Sequence, residues 1–176
     1  MIKIILALLL ILSVPVISMA FCPPGGCQSP CGGNGYYGCT EAEIVQIGSL
    51  NQADITQNGG SFSSNLATIS QLGIANKASI NQHIFADHNE ASIAQTGMMN
   101  QANINQYGDT NDAFVTQNGF ANHASVGQYS NKNLASTVQN GIGNSSSISQ
   151  GTQLGGAYTA TVNQSGWANS ATVLQK

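Results

Sequence analysis

The phrase Asn-x-Ala-x-(Ile/Val)-x-Gln recurs twelve times between residues 40 and 176, and a short fixed period of this kind restricts the chain to a repeat architecture. Its Gln never changes: Gln46, Gln57, Gln71, Gln82, Gln95, Gln106, Gln117, Gln128, Gln139, Gln150, Gln164 and Gln175. The Asn holds ten of the twelve places, at Asn51, Asn65, Asn76, Asn89, Asn100, Asn111, Asn122, Asn133, Asn144 and Asn169, with Thr40 and Tyr158 in the other two. Ser146 replaces Ala once and Thr137 replaces Ile/Val once.

The named positions fall on every second residue, which in an extended chain places all four side chains on one face. A helix would need apolar residues at i, i+3, i+4 and i+7, whereas Ala53 and Ile55 are two apart and flanked by Asp54 and Thr56. Each phrase therefore predicts one β-strand. The charged residues of the array, Glu41 and Lys77 among them, lie at x positions or in connections. That sorting marks the Asn/Ala/Ile/Gln face as the interior, because an unpaired charge in a low-dielectric core is costly.

Successive Gln residues are separated by 11, 14, 11, 13, 11, 11, 11, 11, 11, 14 and 11 residues, so every excess over 11 falls on an even-numbered interval. Strands thus pair through an invariant tight arc, while length variation is confined to the return connection. Gly stands two places after the Gln at Gly48, Gly73, Gly97, Gly119, Gly141 and Gly166, and also at Gly59 and Gly108, where a sharp turn needs positive φ. Ile84, Ser130 and Thr152 depart from this. Stacking each pair on the last keeps every identical face in phase. The expected fold is all-β: a parallel, cross-β solenoid of six strand-arc-strand repeats, about 40–60, 61–84, 85–108, 109–130, 131–152 and 153–176, with two facing parallel sheets. Buried Asn and Gln would then stack on their own kind as amide ladders.

Residues 1–20 read as a secretory signal, with Lys3 as the basic start, residues 4–12 as the apolar run and Ser18-Met19-Ala20 as the cleavage site. The run is short for a membrane span and is followed by Ser13 and Pro15. Residues 21–39 form a separate Cys/Gly/Pro-rich segment containing Cys22, Cys27, Cys31 and Cys39. In an oxidising compartment four Cys make two disulfides in one of three pairings; a zinc site and cross-links between chains are the alternatives. All four prolines precede the array, and no capping turn is written at either end of it. Uncovered strand edges are templates for another chain, and a head-to-tail contact that does not close makes a filament.

Only 6% of residues are charged and none is Arg, which disfavours nucleic-acid binding through a basic surface. An enzyme reading rests on His83, Asp87 and His88 in one return connection, a set able to bind a metal or exchange protons, but without a carboxylate repeated in neighbouring turns. Asp109 and Asp112 lack the Gly-rich repeat of calcium-binding β-rolls and, with Asp54, read as outward charges that slow premature assembly. An ice-binding or carbohydrate-binding soluble solenoid would need a regular outer face, and the x positions are mixed. Tyr107, Phe120, Tyr129 and Trp167 are outward aromatics available to ligands or to neighbouring filaments. No catalytic residue, cofactor or metal is expected.

Asn-x-Ala-x3-Gln joined through Gln-x-Gly-x2-Asn resembles the repeat of curlins, the secreted subunits of bacterial curli fibres, across residues 40–176. The stacking residues of that family fall on Gln46, Asn51, Gln57, Asn65, Gln71 and onward. The resemblance implies a homopolymeric functional amyloid at the cell surface, with roles in adhesion and biofilm. It also implies a nucleator subunit, an outer-membrane secretion channel and a periplasmic chaperone as partners. The low charge and regular last repeat look more like the major subunit than the nucleator. The Cys-rich leader stands where the family has a Gly-rich, Cys-free targeting segment.

Overall fold

A computed structural model of the chain describes residues 40–58, 63–83, 88–151 and 156–176. The expected signal, the four cysteines, Gly59, Ile84, Asp87 and Thr152 lie outside the described residues. The described chain is all-β, with twelve strands in two six-stranded parallel sheets. One sheet stacks β1 (Glu41–Ser49), β3 (Leu66–Ile74), β5 (Glu90–Met98), β7 (Asp112–Phe120), β9 (Leu134–Ile142) and β11 (Thr159–Trp167) in that order. The other stacks β2 (Gln52–Gln57), β4 (Lys77–Gln82), β6 (Gln101–Gln106), β8 (His123–Gln128), β10 (Ser145–Gln150) and β12 (Ser170–Gln175). Odd strands never pair with even ones, so each consecutive pair, β1 with β2 and so on, forms one rung of a β-solenoid.

The register is set by identity of side chains. Gln71 lies beside Gln46 and Gln95, Ile69 beside Ile44 and Ile93, and Ala67 beside Ala42 and Ala91. Slipping one strand by a single residue would turn this whole set outward. The interior is a seam of Ala and Ile or Val, with Ala67, Ile69, Ala91, Ile93, Ala124 and Val126 fully buried. The buried Gln and Asn flank it on both sides. Toward the outer rungs burial falls: Ile44, Ala53, Ile55, Ala171 and Val173 are only partly covered.

The arc differs from the sequence expectation in one respect. Its Gly does not end the first strand, which runs on through it for one more residue. The chain turns at two places: the Gly, with φ 112° at Gly97, and the residue two further on, which is left-handed although rarely Gly. Leu50, Ala75, Met99, Ala121 and Ala168 have φ between 53° and 59°. The column of Gly is demanded by close stacking as much as by φ, because a Cβ on Gly73 would collide with the carbonyl of Gly97 in the next rung.

Candidate functional site

The chemistry of this molecule is concentrated in its amide ladders. In the first sheet Gln46 Nε2 donates to Gln71 Oε1 at 2.6 Å, Gln71 to Gln95, Gln95 to Gln117, Gln117 to Gln139 and Gln139 to Gln164, each at 2.8 Å. In the second, Gln57 donates to Gln82 at 2.8 Å, Gln82 to Gln106 at 2.9 Å, Gln106 to Gln128 at 3.0 Å, Gln128 to Gln150 at 3.1 Å and Gln150 to Gln175 at 3.0 Å. Every step runs in one direction, from each rung to its successor. Beyond Gln46, the other N–H of each amide reaches across to the opposite sheet, as Gln71 does to the Gln52 carbonyl at 3.1 Å and Gln106 to the Glu90 carbonyl at 2.9 Å. An interior Gln thus uses both donors, an arrangement that spares it the roughly 1 to 3 kcal/mol cost of an orphaned buried polar group.

The Asn columns do different work from a simple amide stack. In the even strands each Oδ1 accepts the next rung's backbone N–H and side-chain amide together: Asn100 gives both to Asn76 Oδ1, at 3.1 and 3.2 Å. The Nδ2 also donates forward to the arc Gly carbonyl of the next rung, Asn76 to Gly97 at 3.0 Å and Asn144 to Gly166 at 3.0 Å. Asn51, Asn122 and Asn169 belong to the same column. In the odd strands Asn65 Oδ1 accepts from the Asn89 backbone at 3.0 Å, Asn89 from Asn111 at 2.8 Å, Asn111 from Asn133 at 3.0 Å, and Asn133 from Tyr158 at 3.2 Å. Asn therefore secures the backbone where each strand begins, while Gln ties sheet to sheet.

One-way donation gives the stack a polarity. Among the described residues, Gln46 Oε1 and Gln57 Oε1 accept from nothing on the first rung. On the last, Gln164 and Gln175 each retain one N–H after bonding Ser145 O and Thr159 O, and Asn169 Oδ1 has no donor. The two outermost rungs offer complementary sets.

Sequence reasoning missed an aromatic stack on the outer side of the second sheet. His83, Tyr107 and Tyr129 each follow a ladder Gln, so register superposes them; His83 and Tyr107 ring centroids are 3.7 Å apart and those of Tyr107 and Tyr129 5.3 Å. Burial lowers the His83 pKa from its ordinary value, and its Nε2 is buried without a partner. His83 thus belongs to a packed stack, and its expected partner Asp87 lies outside the described residues. Among the described residues no three His, Cys, Asp or Glu are grouped as metal ligands. Asp112 points outward on β7, where partial burial raises its carboxyl pKa.

The curlin associated repeat family matches this chain over residues 63–97 and again over 98–129. Residues 63–129 are thus built of curlin repeats. The matched repeats cover β3 to β8, rungs in which ladder and seam are buried. No curated protein matches the chain. Curlin repeats on a parallel β-solenoid fit a curli-like structural subunit, a family associated with extracellular curli fibres.

Proposed function

We propose that this chain is the secreted subunit of a curli-like extracellular amyloid fibre, which grows by head-to-tail stacking of identical solenoids. The observation that carries the reading is the one-way Gln ladder, whose outermost rungs hold unmatched donors at one end and unmatched acceptors at the other. With a second copy placed in register, Gln164 and Gln175 would donate to its Gln46 and Gln57. Asn169 Oδ1 would receive the Asn51 N–H, and Asn169 Nδ2 would reach Gly48 O, as Asn144 does Gly166 O. The same contact would cover the half-exposed Ile44, Ile55 and Val173. A contact between unlike ends cannot close on itself, so it propagates.

Export through residues 1–20 and a place at the bacterial cell surface, in adhesion and biofilm matrix, complete the reading. The nucleator, secretion channel and chaperone are partners supplied by the likeness to curlins. In the test, secreted protein at micromolar concentration converts after a lag to thioflavin-binding fibres, and Gln175→Lys slows elongation by placing a charge in the contact. A clear solution that stays monomeric contradicts the proposal.

A further inference from the structure

The arcs carry a second repeating surface. The last residue of each odd strand falls in one column, Ser49, Ile74, Met98, Phe120, Ile142 and Trp167, paired rung to rung. Five of the six are large and apolar, and all five are exposed, from 40% at Phe120 to 78% at Trp167. Leu50 and Met99 flank the column and are also exposed. Every arc, from residue 47 to 51 and at the five equivalent places, lacks a charged residue. The solenoid's described charges lie elsewhere, on the outer faces of strands and in the return connections, Asp109 and Lys132 being examples of the latter.

We propose that this arc column is the surface through which two filaments of this chain lie side by side, arc edge to arc edge. This rests on the fibre reading above. Three features select a second copy as the occupant. A chain of net charge −3 repels its own kind over most of its surface, and the arc edge is the strip free of that penalty. The side chains repeat at the rung spacing, about 4.8 Å, so another stack of the same period can interdigitate along the whole length. Contact area decides when this occurs. A fully covered Phe or Trp buries roughly 150–250 Å² and Ile or Met somewhat less, so these five side chains, about half exposed on average, offer no more than roughly 500 Å² per chain. A stable pair of proteins needs about 800 Å² per partner. Single chains therefore stay apart, and filaments, whose contact grows with every added copy, pair.

The test is mass per unit length, measured by dark-field electron microscopy on fibres of the secreted chain. Wild type is expected to give twice the value of one chain per six rungs. Met98→Thr/Phe120→Thr/Ile142→Thr keeps strand propensity and adds no charge, and its fibres are expected to elongate at the wild-type rate but weigh half as much per length. Leu66→Thr/Leu134→Thr, equally exposed at the far end of the odd strands, should remain double. Wild-type fibres at the single value overturn the proposal without any variant. So does an arc variant that stays double. Single wild-type filaments that bind neutral phosphatidylcholine vesicles would assign the column to a lipid surface instead. Failure of wild type to form fibres removes the head-to-tail reading as well, which distinguishes the two.

Discussion

Thr137 of β9 and Ser146 of β10 sit across the core from one another in the fifth rung. Gln150, at the end of β10, bonds the Leu134 carbonyl at the start of β9, and the arc of residues 140–144 joins the other ends, which places the two residues opposite. They are the only residues at Ile/Val and Ala positions of the array to depart from the pattern. Both are buried, and neither hydroxyl has a hydrogen-bond partner.

A buried hydroxyl without a partner costs about 1 to 3 kcal/mol. Thr137→Val with Ser146→Ala copies the neighbours in register, Val115 and Val162 on one sheet and Ala124 and Ala171 on the other. The double variant is expected to be more stable by on the order of 2 kcal/mol, seen as a higher guanidinium midpoint. An unchanged or lower midpoint would show that the pair is accommodated.

Two arc glycines should respond very unequally to alanine. At Gly97 φ is 112° and an added Cβ meets the Gly119 backbone, so Gly97→Ala should lower stability by several kcal/mol, roughly the cost of forbidden backbone plus overpacking. At Gly143 φ is 64° with nothing near the Cβ, and the same column already holds Ala75, Ala121 and Ala168. Gly143→Ala should change stability by less than about 1 kcal/mol. Equal melting shifts for the two would contradict the stacked-arc geometry.

Gln106 donates to Gln128 Oε1 and to two backbone carbonyls, Glu90 and Asn111. Gln106→Glu replaces these donors with a charge facing three acceptors, and should cost several kcal/mol, in the range of about 3 to 5, for an uncompensated buried ion. Gln101→Glu, on the exposed face of the same strand, is the control and should be nearly silent. Comparable losses for both would argue against an interior ladder.

Acidification should weaken the fold through His83. Burial depresses its pKa below 6.5, so the native state binds fewer protons than the unfolded chain, and stability present above that pH is lost as pH falls through the folded-state pKa. Asp112 has the opposite sign: its pKa is raised above 3.8, so its contribution is fully present below that value and is lost as pH rises through the folded pKa. Denaturation midpoints should therefore fall from pH 7 toward pH 5, and His83→Gln should flatten that slope. A slope unchanged in the variant would place its cause elsewhere.

Most of the architecture could be read from sequence because one side-chain period served both folding and stacking. Gln46 and Gln71 are alike because they touch, so spacing alone gave strands, pairing and register. Less legible was anything that depends on which atom meets which. The spacing predicts amide stacks, but not that Asn100 and Asn76 share an oxygen with the backbone while Gln95 and Gln117 form a one-way relay. Nor does Leu50 announce its left-handed backbone, since that conformation is imposed by the arc rather than favoured by Leu. The His83–Tyr107–Tyr129 stack was hidden because those positions vary freely elsewhere, with Asn58 and Gly151 in the same column. Residues 21–39, with Cys22 and its three companions, lie outside the described structure.

The claim that strands continue from one copy to the next across the fibre axis is tested most directly by X-ray diffraction from aligned fibres of the secreted chain. The account predicts a sharp reflection near 4.8 Å along the fibre axis, with the roughly 10 Å sheet spacing perpendicular to it. A 4.8 Å reflection perpendicular to the axis, or its absence from ordered fibres, would contradict it.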